Sequence, residues 1–273
     1  MKPKNQSSQK NLKSITILTL FFLFILYLIL RPNFSPFQPI KIPHSLSICN
    51  KIPHSLSESL IHYATTKAIP IQNITEISVT WRVLEDLSPC NFLVFGLGLD
   101  SLMWASLNHG GRTVFLEESD GWMRLVKEQM PSLEMYHVVY DTKVTQAIQL
   151  LQIGKSKDCQ TVSDPRYSKC PLALKNLPEE VYDTEWDLIM VDAPTAWDPT
   201  KPGRMKAIYT SGLLARNKRD GETHVFVHDI ERAVENKFSR AFLCEGYERE
   251  EVGRLGHFVI PSHRSGFGRP FCP

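Results

Sequence analysis

The first residues with the types and spacing to do chemistry are Gly96-Leu97-Gly98-Leu99-Asp100-Ser101, which follow the apolar run NFLVF and lead into a stretch of helical spacing. Glycines at a strand-to-helix turn let the backbone bend sharply and approach a ligand, while the start of the helix offers unpaired N–H groups. Gly-x-Gly alone is a weak signal. Its context is stronger, because Glu117 and Glu118 close the next apolar run about twenty residues on, where an acid can accept both hydroxyls of a ribose. Asp141, beyond the third run, is a further cofactor-binding candidate. Such a site suits a dinucleotide or S-adenosylmethionine. The pyrophosphate fingerprint wants a third glycine where Ser101 stands, and Asp100 at the helix start is a poor neighbour for phosphate. An acid there suits the ammonium group of S-adenosylmethionine, which is the favoured ligand; a nicotinamide-dependent sugar enzyme is the alternative.

Two more polar clusters follow apolar runs: Asp192 after DLIMV, and His228-Asp229 after VFV. In open α/β sheets ligands bind beyond the carboxyl ends of the strands, so these three residues are the catalytic candidates. A sugar hydroxyl is a very weak acid, and methylating it calls for a general base in contact or a cation that stabilises the forming alkoxide. Asp192 could be the base; equally, Asp192 and Asp229 could hold a divalent metal ion with His228 as base. Basic residues cluster in nearby loops, among them Lys201, Arg204, Arg216, Lys218, Arg219, His263, Arg264 and Arg269. Of these, Arg204, His263 and Arg264 are the candidates to bind an acidic acceptor, since arginine clamps a carboxylate bidentately. A uronic acid is a sensible substrate class.

The elements that must position these groups alternate between apolar runs and helical patterns. Runs at 91–95, 113–116, 136–139, 187–191 and 225–227 read as buried parallel strands, with helices over 101–108, 144–152, 205–215 and 233–242. Residues 247–252 and 257–260 flank Gly-Arg-Leu-Gly and read as a hairpin. The fold class is therefore α/β: a Rossmann-like methyltransferase fold, mostly parallel, with an antiparallel terminal hairpin. A single catalytic domain is expected over 58–273, opening with a short amphipathic helix at 58–67.

Before it, residues 15–30 carry no charge and follow four lysines, against a lone Arg31 after them. This is the pattern of a transmembrane signal anchor over 15–31, with a cytosolic tail at 1–14 and a type II orientation. Residues 32–57, which contain KIPHSLS twice, read as a lumenal stalk. All six cysteines fall on the lumenal side with no C-x-x-C pair, so disulfides are expected, Cys159 with Cys170 being the local candidate. The sequon Asn73-Ile-Thr75 fits the same compartment. A formal net charge of +2 is too mild for a nucleic-acid partner.

The strings CNFLVFGLGLDSLMWASLNHGGRTVFLEE, YHVVYDTKV, WDLIMVDAPTAWDPTKPGRMKAIYTSGLLARN, GETHVFVHDIERAVE and GRPFCP strongly resemble plant glucuronoxylan 4-O-methyltransferases, over roughly residues 49–273. The resemblance implies a Golgi type II membrane protein that methylates the 4-hydroxyl of glucuronic acid side chains on glucuronoxylan, using S-adenosylmethionine. The wider family includes enzymes acting on glucuronic acid of arabinogalactan and members without a clear activity, so an arabinogalactan acceptor and a noncatalytic Golgi scaffold are the alternatives. The chain departs from the family motif at Leu99, where a histidine is expected. A leucine on the helix packing face would be harmless there, whereas one at the ligand would not.

Overall fold

The computed structural model describes residues 53–67, 71–265 and 269–273, with Leu20, Leu23, Ile25, Leu26 and Tyr27 nearer the N-terminus. Apart from those five, the expected cytosolic tail, membrane anchor and stalk as far as residue 52 lie outside the described residues. Among the described residues no helix is long and apolar enough to cross a membrane. The chain divides into two units, Met1–Asn50 and Lys51–Pro273, and every element below belongs to the second.

Seven strands form one sheet: β1 (Asn91–Phe95), β2 (Arg112–Glu117), β3 (Glu134–His137), β4 (Leu188–Val191), β5 (Glu222–His228), β6 (Glu248–Val252) and β7 (Leu255–Pro261). Their spatial order is β3-β2-β1-β4-β5-β7-β6. The first five are parallel, and β7 pairs antiparallel with both β5 and β6. This is the mostly parallel, Rossmann-like sheet with an antiparallel terminal hairpin that the sequence leads one to expect. The strands are short and apolar because both faces are covered. Leu93, Phe95, Ile189, Val191, Val225 and Val227 point to one face, and Phe92, Val94, Leu188, Met190 and Phe226 to the other.

Among the described residues of this unit there are eight α-helices: α1 (His54–Thr65), α2 (Ile74–Leu87), α3 (Ser101–Leu107), α4 (Asp120–Gln129), α5 (Ala147–Ile153), α6 (Glu179–Asp183), α7 (Met205–Asn217) and α8 (Ala233–Phe238). Side chains of α2, α3 and α4 pack on the Phe92 face, and those of α5 to α8 on the Leu93 face. The first helix begins at His54, inside the expected stalk, directly after Pro53, whose fixed backbone angle suits a helix entry. Neither α2 nor α4 is anticipated from the sequence reading. The former is held by a capping box: the Asn73 side chain accepts from the backbone N–H of Thr75 and Glu76, and Glu76 Oε2 accepts from Asn73 N at 2.8 Å. The asparagine of the sequon is thus also a helix cap.

Other differences have local causes. The third strand ends at His137 rather than residue 139 because its one neighbour, β2, ends opposite it at Glu117. The helix expected to reach 242 stops at Phe238 and passes into a π turn over Ser239–Cys244, which buries Phe242 and Leu243. Cys159 is bonded to Cys170 and Cys244 to Cys272. Cys90 departs from the expectation of full pairing: it is a buried free thiol against Asn108 Oδ1 at 3.3 Å, while Cys49 lies outside the described residues.

Candidate active site

Strand order reverses between β1 and β4, and at their carboxyl ends a cleft of about 520 Å3 opens. Its floor is the turn after β1. Gly96 has φ +126°, and a Cβ there would lie 3.2 Å from the Ala193 side chain, so this position needs glycine both for its backbone angle and for the close approach of the β4 loop. Ser101 Oγ accepts from Gly98 N at 2.9 Å, which tightens the turn. Asp100 occupies the N-cap position of α3 without capping it; instead its Oδ2 accepts from Trp104 Nε1 at 2.9 Å.

The cofactor side of the cleft holds acids without cations. Among the described residues, neither Asp100 nor Glu117 has a cationic partner. Burial, reinforced by the Asp192 charge, raises the Asp100 carboxyl above the ordinary aspartate range, and burial likewise raises Glu117. A ligand bringing an ammonium group and ribose hydroxyls would satisfy both, so these residues fit S-adenosylmethionine. The structure separates the two glutamates. Both line the cleft, but Glu117, the last residue of β2, accepts from Ser119 N at 2.8 Å, whereas Glu118 Oε1 accepts from Thr195 N at 2.7 Å and from the Thr195 hydroxyl. Glu118 therefore anchors the loop after β4, leaving Glu117 to meet a ribose. Asp141 sits elsewhere, largely exposed and paired with Lys206 Nζ at 2.6 Å. Leu99 lines the cleft at 40% exposure and is not on the helix packing face.

Across the cleft, Asp192 and the pair His228-Asp229 come together as expected from their strand ends. Asp192 Oδ1 accepts from His228 Nδ1 at 2.9 Å and from Arg204 at 3.2 Å; among the described residues Oδ2 has only Gln72 Nε2, at 3.4 Å. The His228 ring is fully buried, and among the described residues its Nε2 has no hydrogen-bond partner, facing Glu76 Oε2 at 3.7 Å. Asp192 lines the cleft and His228 stands behind it. Burial would raise Asp192, but the His228 hydrogen bond and the Arg204 charge outweigh it and hold the carboxyl below its ordinary range. Burial would lower His228, but the hydrogen bond and charge of Asp192, with the Asp229 charge, raise it above 6.5.

Asp229 follows β5 with φ 57°, a left-handed backbone that aspartate tolerates better than most residues. Three guanidiniums hold it there: Arg204 at 2.9 Å and Arg232 at 3.0 Å on Oδ2, and Arg254 at 3.0 Å on Oδ1. Arg254 arrives from the β6–β7 turn, whose Gly253 has φ +60° and leaves only 2.7 Å between a would-be Cβ and Glu76 Oε1, so a glycine is needed at this point too. The same Glu76 oxygen accepts from Arg254 N at 2.8 Å.

Asp192, His228 and Asp229 bring ligand-type atoms within 4.8 Å of one another. As they stand they do not fit a resident divalent cation, because Arg204 already bridges both carboxylates and donates to the His228 carbonyl at 2.6 Å. A cation could enter only by displacing it. Arg204 is also too committed to clamp an acceptor: it is 5% exposed and both its terminal nitrogens serve the cluster, while its Nε is buried with no hydrogen-bond partner among the described residues. His263 and Arg264 lie outside the cleft, beside Tyr247 and the Asn217 carbonyl respectively. Gln72, Glu76, Arg232 and Arg254 are the site residues that the sequence reading passes over. Arg232 and Arg254 line the cleft and are each about one-third exposed; both pair with Asp229, and Arg254 also faces Glu76 Oε1 at 3.6 Å and donates to the Ile71 carbonyl at 3.2 Å, so an acidic sugar would share them with these partners, Arg232 being the less committed of the two.

Residues 75–258 match the family described as IRX15/IRX15L/GXM. Glucuronoxylan 4-O-methyltransferase 3 of Arabidopsis thaliana is 62% identical over 82% of this chain and 76% of its own length. Glucuronoxylan 4-O-methyltransferase 2 of the same plant is 60% identical over 86% and 82%. Arabinogalactan O-methyltransferase 2, also from Arabidopsis thaliana, is 52% identical over 79% and 77%.

Proposed function

Because the chain belongs to the IRX15/IRX15L/GXM family, we propose that it transfers methyl groups from S-adenosylmethionine to the 4-hydroxyl of glucuronic acid side chains on glucuronoxylan. The observation that carries this reading is the division of the cleft: Asp100 and Glu117, without a cationic partner among the described residues, on one side, and Asp192 backed by a buried imidazole on the other. S-adenosylmethionine supplies, when bound, a methyl group made electrophilic by its sulfonium. Asp100 holds the ammonium end and Glu117 the ribose, which fixes the direction from which the methyl is presented. Asp192 Oδ2, the oxygen without a strong partner, takes the hydroxyl proton as the new O–C bond forms and the S–C bond breaks. His228 keeps the other oxygen in place, and the acceptor carboxylate meets Arg232 and Arg254. The same reading carries a location: an anchor at 15–31 in the Golgi membrane with the catalytic domain in the lumen, which the two disulfides support.

The test uses the solubilised full chain, labelled S-adenosylmethionine, and glucuronoxylan and arabinogalactan as parallel acceptors, with and without chelator. The expected result is label at the 4-position of glucuronic acid on xylan, at least about tenfold above arabinogalactan, a difference of roughly 1.4 kcal/mol. Preference for arabinogalactan would reassign the acceptor. Folded protein that labels neither and does not bind S-adenosylmethionine would leave a scaffold. Loss of activity on chelation would place a cation where Arg204 now bridges.

A pH profile tests the arrangement behind Asp192. While His228 is protonated it holds Asp192 as a weak base, so kcat/KM for the acceptor rises with pH along an acid limb whose midpoint lies above 6.5. For stability the sign is opposite. A raised imidazole favours the folded state fully below its ordinary value, and that contribution is lost as pH rises through the raised one. His228→Gln should remove the limb; an unchanged limb in that variant would take His228 out of the base.

A further inference from the structure

The cleft has a large aromatic side chain at its mouth that nothing above uses. Trp197, between β4 and α7, lines the cleft and is 72% exposed, and among the described residues its N–H has no partner. A surface indole leaves uncollected the burial that usually stabilises tryptophan, and a mobile loop would fold it inward. This loop is not free to do so. Glu118 holds Thr195 at its start, and Gly203 N donates to the Thr195 carbonyl at 3.0 Å, closing the loop on itself. Asp198 Oδ1 accepts from Thr200 N at 2.7 Å, and Lys201 N donates to the Asp198 carbonyl at 3.0 Å. From outside, Thr145 N and Val144 N donate to the carbonyls of Pro199 and Lys201 at 3.2 and 2.9 Å. Pro194, Pro199 and Pro202 restrict the backbone further.

An indole held open on a fixed loop at the rim of a sugar-methylating cleft has the form of a stacking platform. The axial C–H bonds on a pyranose face carry partial positive charge and pack on the negative face of an aromatic ring, while a rigid ring loses little entropy when it is covered. We propose that Trp197 binds the sugar of the polysaccharide next to the methyl-accepting glucuronic acid, and so makes the enzyme prefer a polymer-borne uronate to a free one. This rests on the reading of the reaction given above. The contact lies outside the reacting atoms, so Trp197 is a specificity residue and takes no part in the proton transfer.

The experiment compares wild type, Trp197→Ala and Trp197→Phe in the full chain, with glucuronoxylan and with the methyl glycoside of glucuronic acid as acceptors. Removing one stacked ring is expected to raise KM for glucuronoxylan about tenfold with kcat little changed, and to shift kcat/KM for the monosaccharide less than about twofold. Phenylalanine should restore most of the polymer KM, which a merely structural role for the indole would not. Calorimetric affinity for S-adenosylmethionine reports whether the variant is folded. An unchanged polymer KM in folded Trp197→Ala, or an equal loss on both acceptors, overturns the inference. If wild type itself fails to methylate glucuronoxylan, the failure belongs to the assigned reaction and not to Trp197.

Discussion

Asp192→Asn is expected to lower kcat by about 10²- to 10⁴-fold, the usual range for losing a positioned general base, while the protein stays folded and binds S-adenosylmethionine. The substitution keeps the shape of the side chain and removes its ability to take a proton. It also removes the charge that His228 and Arg204 face at 2.9 and 3.2 Å. The fold survives because Arg204 retains Asp229 and the His228 carbonyl. Steady-state kinetics with saturating cofactor, paired with calorimetric titration, separates the two effects. Methyl transfer within threefold of wild type would remove Asp192 from the chemistry, and the proton would need another acceptor.

Asp229→Asn is expected to strike stability instead, by about 3 kcal/mol, the order seen when one partner of a buried ion pair is removed. Asparagine tolerates the left-handed backbone at this position, so the effect isolates the charge. Three guanidiniums converge on the wild-type carboxylate, and one of them, Arg204, is only 5% exposed, so solvent is poorly placed to replace the lost partner. Chemical unfolding of both proteins gives the difference directly. Because Arg232 and Arg254 are partly exposed, solvent screens their share and the figure is an upper range for them. A loss below about 1 kcal/mol would mean that the arginines find other acceptors and that Asp229 is not the organising charge.

The sheet was legible because its strands are short apolar runs ended by polar residues, and that same punctuation put Asp192, His228 and Asp229 on one side. What stayed hidden comes from elements remote in sequence. Glu76 is not singled out by the sequence, yet it faces His228 from α2 and accepts from Arg254. Arg254 reads as hairpin punctuation between two strands. Nothing local marks Arg204 as buried; its position follows from the way α7 packs under the sheet, with almost every residue of that helix inaccessible. Asp141 reads as a strand-end acid, but β3 stops at His137, and the three residues between carry it out to Lys206. The two adjacent glutamates after β2 look interchangeable in sequence, and only the loop bearing Thr195 tells them apart.

The two cystine links close loops of 11 and 28 residues. On a chain-entropy account, loops of that size stabilise by about 2.8 and 3.6 kcal/mol through what they remove from the unfolded ensemble. Together this rivals the roughly 5–15 kcal/mol by which a whole domain is ordinarily held. A copy of the chain kept among reduced thiols would therefore sit near its melting threshold and be open to proteolysis, while one that meets an oxidant gains a wide margin.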